Sequence, residues 1–291
     1  MPAVGPVLRC GARTLDLSTP AVMGVLNVTP DSFSDGGRFL DAERAVDHGM
    51  RMAEEGAAII DVGGESTRPG AGAVSAAEEI ERVLPVIERL AARIEAIVSV
   101  DTSKPEVMRA AAAAGAGLIN DVRALTAPGA LEAAAATGCA VCLMHMRGEP
   151  ATMQRDPTYA DVTSEVKAFL LDRARDCLAA GIDAERLAID PGFGFGKTVE
   201  HNLELLRRLS ELAATGLPVL VGLSRKSSVG ALTGRPEGDR LAGSLALAAL
   251  AVFSGARIVR AHDVAPTVDA VKVASAVRGR RETAKAGEAQ A

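Results

Sequence analysis

The chain alternates short apolar runs with longer amphipathic stretches, and this alternation limits the possible folds more than any other feature of the sequence. Because strands separated by helices pair in parallel through right-handed crossovers, the alternation predicts a parallel sheet covered by helices. The eight apolar runs are Ala21–Asn27, Ala57–Val62, Ala96–Asp101, Gly117–Asp121, Ala140–His145, Leu187–Asp190, Pro218–Leu223 and Arg257–Arg260.

The stretches between these runs have the length and composition of helices, being rich in Ala, Leu, Glu and Arg. Pro105 at a helix start, and Gly115 and Gly181 after helix ends, are the expected boundary signals. The predicted helices are Asp41–Glu55, Ala77–Arg93, Pro105–Ala114, Leu131–Thr137, Asp161–Ala180, Thr198–Thr215, Gly238–Ser254 and Ala265–Val277.

Eight strand–helix units favour a closed (β/α)8 TIM barrel. The alternative is a Rossmann-like doubly wound sheet, which needs roughly five to seven strands and a glycine fingerprint after the first. Val7–Ser18 precedes the first unit and is expected to form a short hairpin, with Gly11 at its turn, that caps the barrel bottom. We predict a single domain over residues 1–291, with a core from about 20 to 277 and a flexible tail at 279–291.

Composition excludes several classes of function. The 291 residues are 48% hydrophobic, which is enough apolar surface to fold. A net charge of −5 and only 2% aromatic residues argue against nucleic-acid binding. No apolar run approaches the ~20 residues of a membrane span, and the N-terminus lacks a secretory leader pattern. Four cysteines are too few for a disulfide framework, so we expect a reduced, cytoplasmic protein.

Polar residues follow the carboxyl ends of the apolar runs. In a (β/α)8 barrel all strand ends open onto one face, where active sites are built, so these side chains are expected to meet there. They are Asn27, Asp61, Glu65, Asp101, Asn120, Asp121, His145, Asp190, Arg225, Lys226, Arg260 and His262.

Each of these residues also has a simpler structural interpretation. Asp101 and Asp190 could cap helices, and the other carboxylates could accept hydrogen bonds from loop amides. His145 could be an ordinary half-buried histidine. Arg225–Lys226 and Arg260 could form surface ion pairs, which are common and weak. The convergence of so many polar residues on one face favours the functional interpretation.

Three glycine-rich segments add detail. Residues 27–37 form a long polar loop suited to a mobile lid, and residues 63–70 place Arg68 beside hydroxyls and a proline, which suits recognition of anionic oxygens. Residues 191–198 resemble a P-loop but fail its spacing, because Pro191 stands where the first glycine is needed. The glycines of this segment are expected to let the backbone and Phe193 approach a flat ligand.

Eight segments together resemble the dihydropteroate synthase family, pterin-binding enzymes of folate biosynthesis, from residue 23 to about 275. The resemblance implies a homodimeric (β/α)8 barrel that condenses 6-hydroxymethyl-7,8-dihydropterin diphosphate with 4-aminobenzoate, giving 7,8-dihydropteroate and diphosphate. The resemblance also implies a transferase that sulfonamides would target. The matching segments are 24–37, 61–70, 99–102, 119–122, 143–146, 190–196, 224–227 and 260–264.

The resemblance also implies a role for individual residues. The catalytic residues would be Asp101, Lys226 and Arg260. The pterin would contact Asp101, Asn120, Asp190, Lys226, Phe193 and Met146. The diphosphate would lie against Asn27, Arg68, Arg260 and His262, with Mg²⁺ held at Asn27. The aminobenzoate would lie against Phe33, Ser66, Thr67, Arg68, Pro69 and Ser227.

The expected mechanism is S_N1-like, because positive charge can spread into the pterin ring as diphosphate leaves. Two other functions remain open. A corrinoid-linked methyltransferase barrel would share the pterin pocket but would have no diphosphate site, so Arg68 and the Arg260–His262 pair disfavour it. An inactive family member acting as a dimeric scaffold would be expected to lose its loop residues first, and Asn27 and Lys226 are present.

Overall fold

The computed structural model of the chain describes residues 7–28, 37–65, 74–148, 153 and 157–279. It begins with an antiparallel hairpin formed by β1 (Val7–Cys10) and β2 (Arg13–Asp16). Gly11 at the turn has φ +63°, a conformation that glycine adopts without steric cost. The predicted N-terminal hairpin is therefore confirmed.

Eight parallel strands follow, in the order β8-β7-β6-β5-β4-β3-β10-β9. A parallel bridge between Ile189 and Val219 joins the two ends of this sheet. The predicted (β/α)8 barrel is therefore confirmed, and the doubly wound alternative is wrong. The strands are β3 (Ala21–Asn27), β4 (Ile59–Gly63), β5 (Ile97–Asp101), β6 (Leu118–Asp121), β7 (Ala140–Met144), β8 (Leu187–Asp190), β9 (Leu220–Gly222) and β10 (Ile258–Ala261).

The helices surround this sheet, and most lie close to their predicted bounds. They are α1 (Gly37–Glu54), α2 (Ala76–Arg93), α3 (Pro105–Ala113), α4 (Ala130–Thr137), α5 (Val162–Ala179), α6 (Val199–Arg207), α7 (Leu209–Ala213), α8 (Ser227–Thr233), α9 (Leu241–Ser254) and α10 (Val264–Arg278). The predicted helix Thr198–Thr215 is two helices, because Arg208 has a non-helical backbone between them. The short α8 was not predicted.

The strands alternate between two cores, because successive side chains of a strand point to opposite faces of the sheet. Side chains such as Ile60 and Val100 point outward and pack beneath the helices. Ile59 and Ile97, on the opposite face of the same strands, point into the barrel and form an inner core. Leu8 of the hairpin packs against this inner core. The hairpin thus covers the amino-terminal end of the barrel, as predicted.

Several predicted features lie outside the described residues. These are the tail beyond residue 279, most of the predicted lid at 27–37, and the side chains of Phe33, Ser66, Thr67, Arg68 and Pro69. Within the described part of the chain, no helix has both the length and the apolar composition needed to cross a membrane.

Candidate active site

The carboxyl ends of the barrel strands surround a polar pocket. Its lining consists of Asp101, Asn120, Val122, Met144, Asp190, Gly192, Phe193, Phe195, Gly222, Lys226 and Arg260. Five of the six residues predicted to contact a pterin are in this lining. The sixth, Met146, packs beside it against the cluster of Met144 and Phe195. The structure therefore brings together side chains from positions 101 to 260 of the sequence.

The two-residue period of the strands explains which polar residues reach the pocket. In β5, Ile97 faces the inner core, and Asp101, four residues later, faces the same way at the mouth. In β6, Asn120 faces inward, so Asp121 faces outward and accepts hydrogen bonds from the backbone N–H groups of Arg123 and Leu125, both at 2.8 Å. The structural interpretation is thus the right one for Asp121.

Arg260 is at the centre of the site. Its Nε lies 2.7 Å from Oδ2 of Asp61, and its Nη2 lies 2.8 Å from Oδ2 of Asp101. Because most of the guanidinium is shielded from water, these are strong charge-assisted hydrogen bonds. The possibility of a weak surface ion pair at Arg260 is therefore wrong.

Asp61 anchors Arg260 from the inner core. It is fully buried, and its register partner in β5 is Ser99, whose Oγ donates to Asp61 at 2.7 Å. Asn120 Nδ2 donates to Oδ2 of Asp61 at 3.0 Å, the oxygen that Arg260 also binds. The sequence marked Asp61 only as a polar strand-end residue. Asp61 aligns with Ser99, two residues before Asp101, so Asp61 and Asp101 face the same side of the sheet. This alternation was the signal that could have identified Asp61 as a site residue.

Burial changes the proton affinities of the pocket groups. Burial raises the pKa of Asp101 to about 7, helped by the nearby Asp61 carboxylate and opposed by Arg260. It raises the pKa of Asp190 to about 6, with the Gly192 amide opposing. It lowers the pKa of Lys226 to about 8, and the positive charge of Arg260 acts in the same direction. Three pocket groups therefore change charge within a few pH units of neutrality.

Asp190 closes a tight turn after β8. Its Oδ1 accepts a hydrogen bond from the backbone N–H of Gly192 at 2.7 Å. Gly192 has φ +68°, and a Cβ there would lie 1.9 Å from the carbonyl oxygen of His145. Only glycine fits so close to the neighbouring backbone. The possibility that Asp190 caps a helix is wrong, because Thr198 caps the helix that follows.

Lys226 and Phe195 contact each other in the wall of the pocket. The Nζ of Lys226 lies 4.4 Å from the centre of the Phe195 ring, which is a cation–π distance. The sequence prediction named Phe193 and missed Phe195. Both aromatic rings line the pocket, but Phe193 is also part of the outer core. A flat ligand would therefore meet Phe195 beside the lysine.

The loop that carries Lys226 has a strained backbone. Arg225 has φ +57°, which is uncommon for a residue other than glycine. Its N–H donates to Oγ of Ser244 at 2.9 Å, and its carbonyl oxygen accepts from Arg240 Nη1 at 3.0 Å. Its guanidinium binds both carboxylate oxygens of Asp263, at 3.0 and 2.6 Å. Arg225 therefore forms the predicted exposed ion pair, which also holds the loop beside the pocket.

His262 and Ser227 are close in the chain to Arg260 and Lys226, but neither is part of the pocket lining. The Nδ1 of His262 is 3.1 Å from Oγ of Ser224, and burial beside Arg260 lowers the pKa of His262 to about 4. His262 is therefore neutral at pH 7. Ser227 is exposed at the first position of α8, next to Lys226.

Asn27 is exposed at the carboxyl end of β3, and it pairs in register with Gly63, whose other neighbour is Asp101. Among the described residues, no three His, Cys, Asp or Glu side chains are grouped to hold a metal ion. A single amide oxygen is nevertheless an adequate protein ligand for Mg²⁺ that arrives bound to phosphate and keeps several waters. Asn27 thus fits the predicted metal contact.

A second, larger cavity of about 590 Å³ lies at the hairpin end of the barrel. Its lining consists of four alanines together with Arg13, Thr14, Leu15, Glu95 and Ile97. The pocket at the carboxyl ends of the strands is the better candidate active site, because it brings together several buried charged groups.

Comparison with known proteins identifies the family of the chain. The family model described as "Pterin binding enzyme" matches residues 23–262. The dihydropteroate synthase of Escherichia coli is 55% identical over 269 residues, covering 92% of this chain and 95% of the relative. The chain belongs to the dihydropteroate synthase family.

Solved structures of other dihydropteroate synthases share the fold. The Yersinia pestis enzyme in complex with a sulfonamide drug is 53% identical with a TM-score of 0.89, covering 94% of this chain and 99% of that one. The Xanthomonas albilineans enzyme in complex with 7,8-dihydropteroate is 54% identical with a TM-score of 0.86 and the same coverage. The predicted family and barrel fold are confirmed.

Proposed function

We propose that the barrel-mouth pocket binds the pterin ring of 6-hydroxymethyl-7,8-dihydropterin diphosphate, which this chain condenses with 4-aminobenzoate to give 7,8-dihydropteroate and diphosphate. The observation that carries this proposal is the shared pocket of Asp101, Asn120, Asp190 and Lys226. The aminopyrimidine edge of a pterin donates hydrogen bonds, which two carboxylates accept. Its carbonyl and ring nitrogens accept hydrogen bonds, which the ammonium and the amide donate.

Arg260 would bind the diphosphate while staying anchored to the protein. Two of its three guanidinium nitrogens already bind Asp61 and Asp101, so Nη1 is the nitrogen that would reach the substrate. His262, neutral at pH 7, would donate one hydrogen bond from Nε2, because its Nδ1 faces Ser224. Arg68 would supply the further positive charge that the leaving anion needs.

Asn27 would hold Mg²⁺ together with the diphosphate oxygens and water. The exposed position of Asn27 at the end of β3, beside the strand that carries Asp61, supports this assignment. When bound, the metal would neutralise negative charge on the departing diphosphate.

The residues of the pocket favour a dissociative path. As the bond from the methylene carbon to the diphosphate oxygen breaks, both electrons leave with the diphosphate and positive charge spreads into the pterin. Ionised Asp101 and Asp190 stabilise this charge from the pocket wall. The amine of aminobenzoate is uncharged at neutral pH and attacks the methylene carbon directly, losing its proton afterwards. The reaction therefore needs no dedicated general base.

The aminobenzoate would lie at the rim of the pocket. Its slot would be formed by Phe33, Ser66, Thr67, Arg68, Pro69 and Ser227. Ser227 follows Lys226 directly and is exposed at the mouth, which places a hydroxyl next to the pterin pocket. Sulfonamides would compete for the same slot.

We also propose that the enzyme is a cytoplasmic homodimer. Several large apolar side chains are exposed on two helices that pack against each other: Leu250 and Phe253 on α9, and Val273 and Val277 on α10. Each is more than half exposed, and a second copy of the chain would remove this surface from water.

The test of the proposed function is a steady-state assay of diphosphate release. Release is expected only when pterin diphosphate, 4-aminobenzoate and Mg²⁺ are all present, with one dihydropteroate formed per diphosphate. A corrinoid-linked methyltransferase would bind pterin without releasing diphosphate, and an inactive scaffold would release none. Either of these results would overturn the proposal.

A further inference from the structure

Lys197 is a buried lysine in the turn that forms one wall of the pocket. Only 3% of its surface is exposed. Its Nζ donates to the carbonyl oxygens of Gly192 and Phe195, both at 3.0 Å, and to that of His145 at 3.3 Å. It also lies 3.0 Å from Nδ1 of His145. Among the described residues, no carboxylate lies within ion-pair distance of Lys197.

The lysine therefore points back into its own turn and away from the pocket. In a P-loop the corresponding lysine would reach toward substrate phosphates. Here the ammonium binds the peptide groups that shape the wall between Gly192 and Phe195. Burying an ammonium is costly unless hydrogen bonds compensate it, and here three carbonyl oxygens do so.

Other contacts of the turn come from neutral groups and from the Asp190 carboxylate, which accepts from the Gly192 N–H. The N–H of Phe195 donates to the carbonyl oxygen of Gly192 at 3.1 Å, and Gly194 N–H donates to Oδ1 of Asn202 at 2.8 Å. The hydroxyl of Tyr159 donates to the carbonyl oxygen of Gly196 at 2.8 Å. Lys197 is the positively charged group among these contacts, and it binds both ends of the Gly192–Phe195 segment.

We propose that Lys197 is a positioning residue for pterin binding. By holding the carbonyl groups of Gly192 and Phe195, it keeps the Gly192 N–H directed at Asp190 and keeps the Phe195 ring beside Lys226. Asp190 and Lys226 are pterin contacts in the proposed function, and this inference depends on that assignment. Lys197 itself touches no substrate.

The charge state of Lys197 gives the proposal a pH dependence. An ammonium has three N–H groups for its three carbonyl partners, whereas a neutral amine has two. Burial lowers the pKa of Lys197 to about 7, opposed by Asp190 and reinforced by the positive charges of Lys226 and Arg147. Burial and the charge of Lys197 lower the pKa of His145 to about 3, so its ring stays neutral. The turn therefore loses one donor as the pH rises through about 7.

The direct test is Lys197→Met, with Arg186→Met as the matched control. Arg186 is also buried and donates to two carbonyl oxygens, those of Cys139 at 2.8 Å and Ala134 at 3.3 Å, outside the pocket lining. Lys197→Met is expected to raise KM for the pterin substrate about tenfold, the effect of one lost charge-assisted hydrogen bond, and KM for aminobenzoate by less than about twofold. Arg186→Met is expected to lower stability with both KM values within about twofold of wild type.

A second variant separates positioning from general destabilisation. Lys197→Arg keeps the charge and the donors and is expected to recover at least half of the lost pterin affinity on a logarithmic scale. If Lys197→Met is insoluble, KM for the pterin in the Arg variant and in wild type is measured from pH 6 to 9. The ratio of the wild-type KM to the KM of the Arg variant is expected to rise as the pH increases through about 7, because arginine stays charged. The titrations of Asp101, Asp190 and Lys226 are common to both proteins and cancel in this ratio.

Asp190→Ala distinguishes failure of this inference from failure of the proposed function. If Asp190→Ala leaves pterin affinity unchanged, the proposed function fails. If it weakens binding while Lys197→Met binds pterin like wild type, only the role of Lys197 is wrong. If each substitution alone weakens pterin binding, the double variant is informative. Lys197→Met is then expected to weaken binding less in the Asp190→Ala background than in wild type, because the carboxylate that Lys197 helps to orient is gone. Strict additivity would contradict the positioning role.

Discussion

Arg260 and Asp61 form a charge-assisted hydrogen bond in the mouth of the barrel, with Nε 2.7 Å from Oδ2 and the carboxylate fully shielded from water. The pair lies on β10 and β4, on either side of β3 in the sheet. Arg260 also binds Asp101, so Asp61 determines where the guanidinium lies relative to a proposed pterin contact.

Replacing Asp61 by asparagine is expected to cost about 2–4 kcal/mol of unfolding free energy, because it leaves a largely buried arginine without its strongest partner. Ser99→Ala, which removes one hydrogen bond to the same carboxylate, is the control and is expected to cost about 1 kcal/mol. Urea unfolding measures both. Equal stabilities of the two variants would show that Asp61 does not anchor Arg260.

Lys226→Ala is expected to weaken pterin binding by about ten- to a hundredfold, because the pterin loses a charged donor in a site shielded from water. Calorimetric titration with a pterin measures this change directly. Lys272→Ala removes an exposed lysine from α10 and serves as the control, for which unchanged affinity is expected. If Lys226→Ala binds the pterin with wild-type affinity, Lys226 is not a pterin contact.

The pH profile of kcat/KM for the pterin substrate is expected to be bell-shaped. Asp190 and Asp101, with pKa values of about 6 and about 7, are ionised above these values, so activity falls as the pH drops through them. Lys197 and Lys226, with pKa values of about 7 and about 8, are charged below these values, so activity falls as the pH rises through them. Lys226→Arg is expected to move the alkaline limb upward, since arginine does not deprotonate. An unmoved alkaline limb would assign that limb to another group.

Gly192→Ala is expected to destabilise the protein by more than about 3 kcal/mol, because its Cβ would overlap the carbonyl oxygen of His145 and its φ is positive. Gly181 also has a positive φ, but no atom lies within 4 Å of a Cβ there, so Gly181→Ala is expected to cost only about 1–2 kcal/mol. Thermal unfolding of both variants measures the difference. A similar loss in the two would mean that the turn at Gly192 has room to shift.

The barrel could be predicted from the sequence because its signal is local and repeated. The last residue of each predicted apolar run lies within about two residues of the end of the corresponding strand, and for Leu187–Asp190 the two coincide. The division of the predicted helix at Arg208 and the short α8 could not be predicted. In both cases tertiary packing determines the backbone, and no proline or glycine marks the change at Arg208.

Most residues of the pocket could be predicted from the sequence, but the contacts between them could not. Counting the two-residue period from the inner core places Asp61, Asp101 and Asn120 on the inside and Asp121 on the outside, so this distinction was available from sequence. The pairing of Arg260 with two carboxylates could not be predicted from the sequence. Arg260 and Asp101, for example, form a hydrogen bond although they are 159 positions apart in the chain. The inward turn of Lys197 likewise depends on the three-dimensional path of its own loop.

The most direct test of the central claim is a crystal structure of this protein with 7,8-dihydropteroate bound. The account predicts the pterin ring between the strand ends, within hydrogen-bond distance of Asp101, Asn120, Asp190 and Lys226, with the aminobenzoate pointing toward Ser227. A pterin ring in the cavity of about 590 Å³ beside Arg13, or at any position out of reach of Asp190 and Lys226, would contradict it.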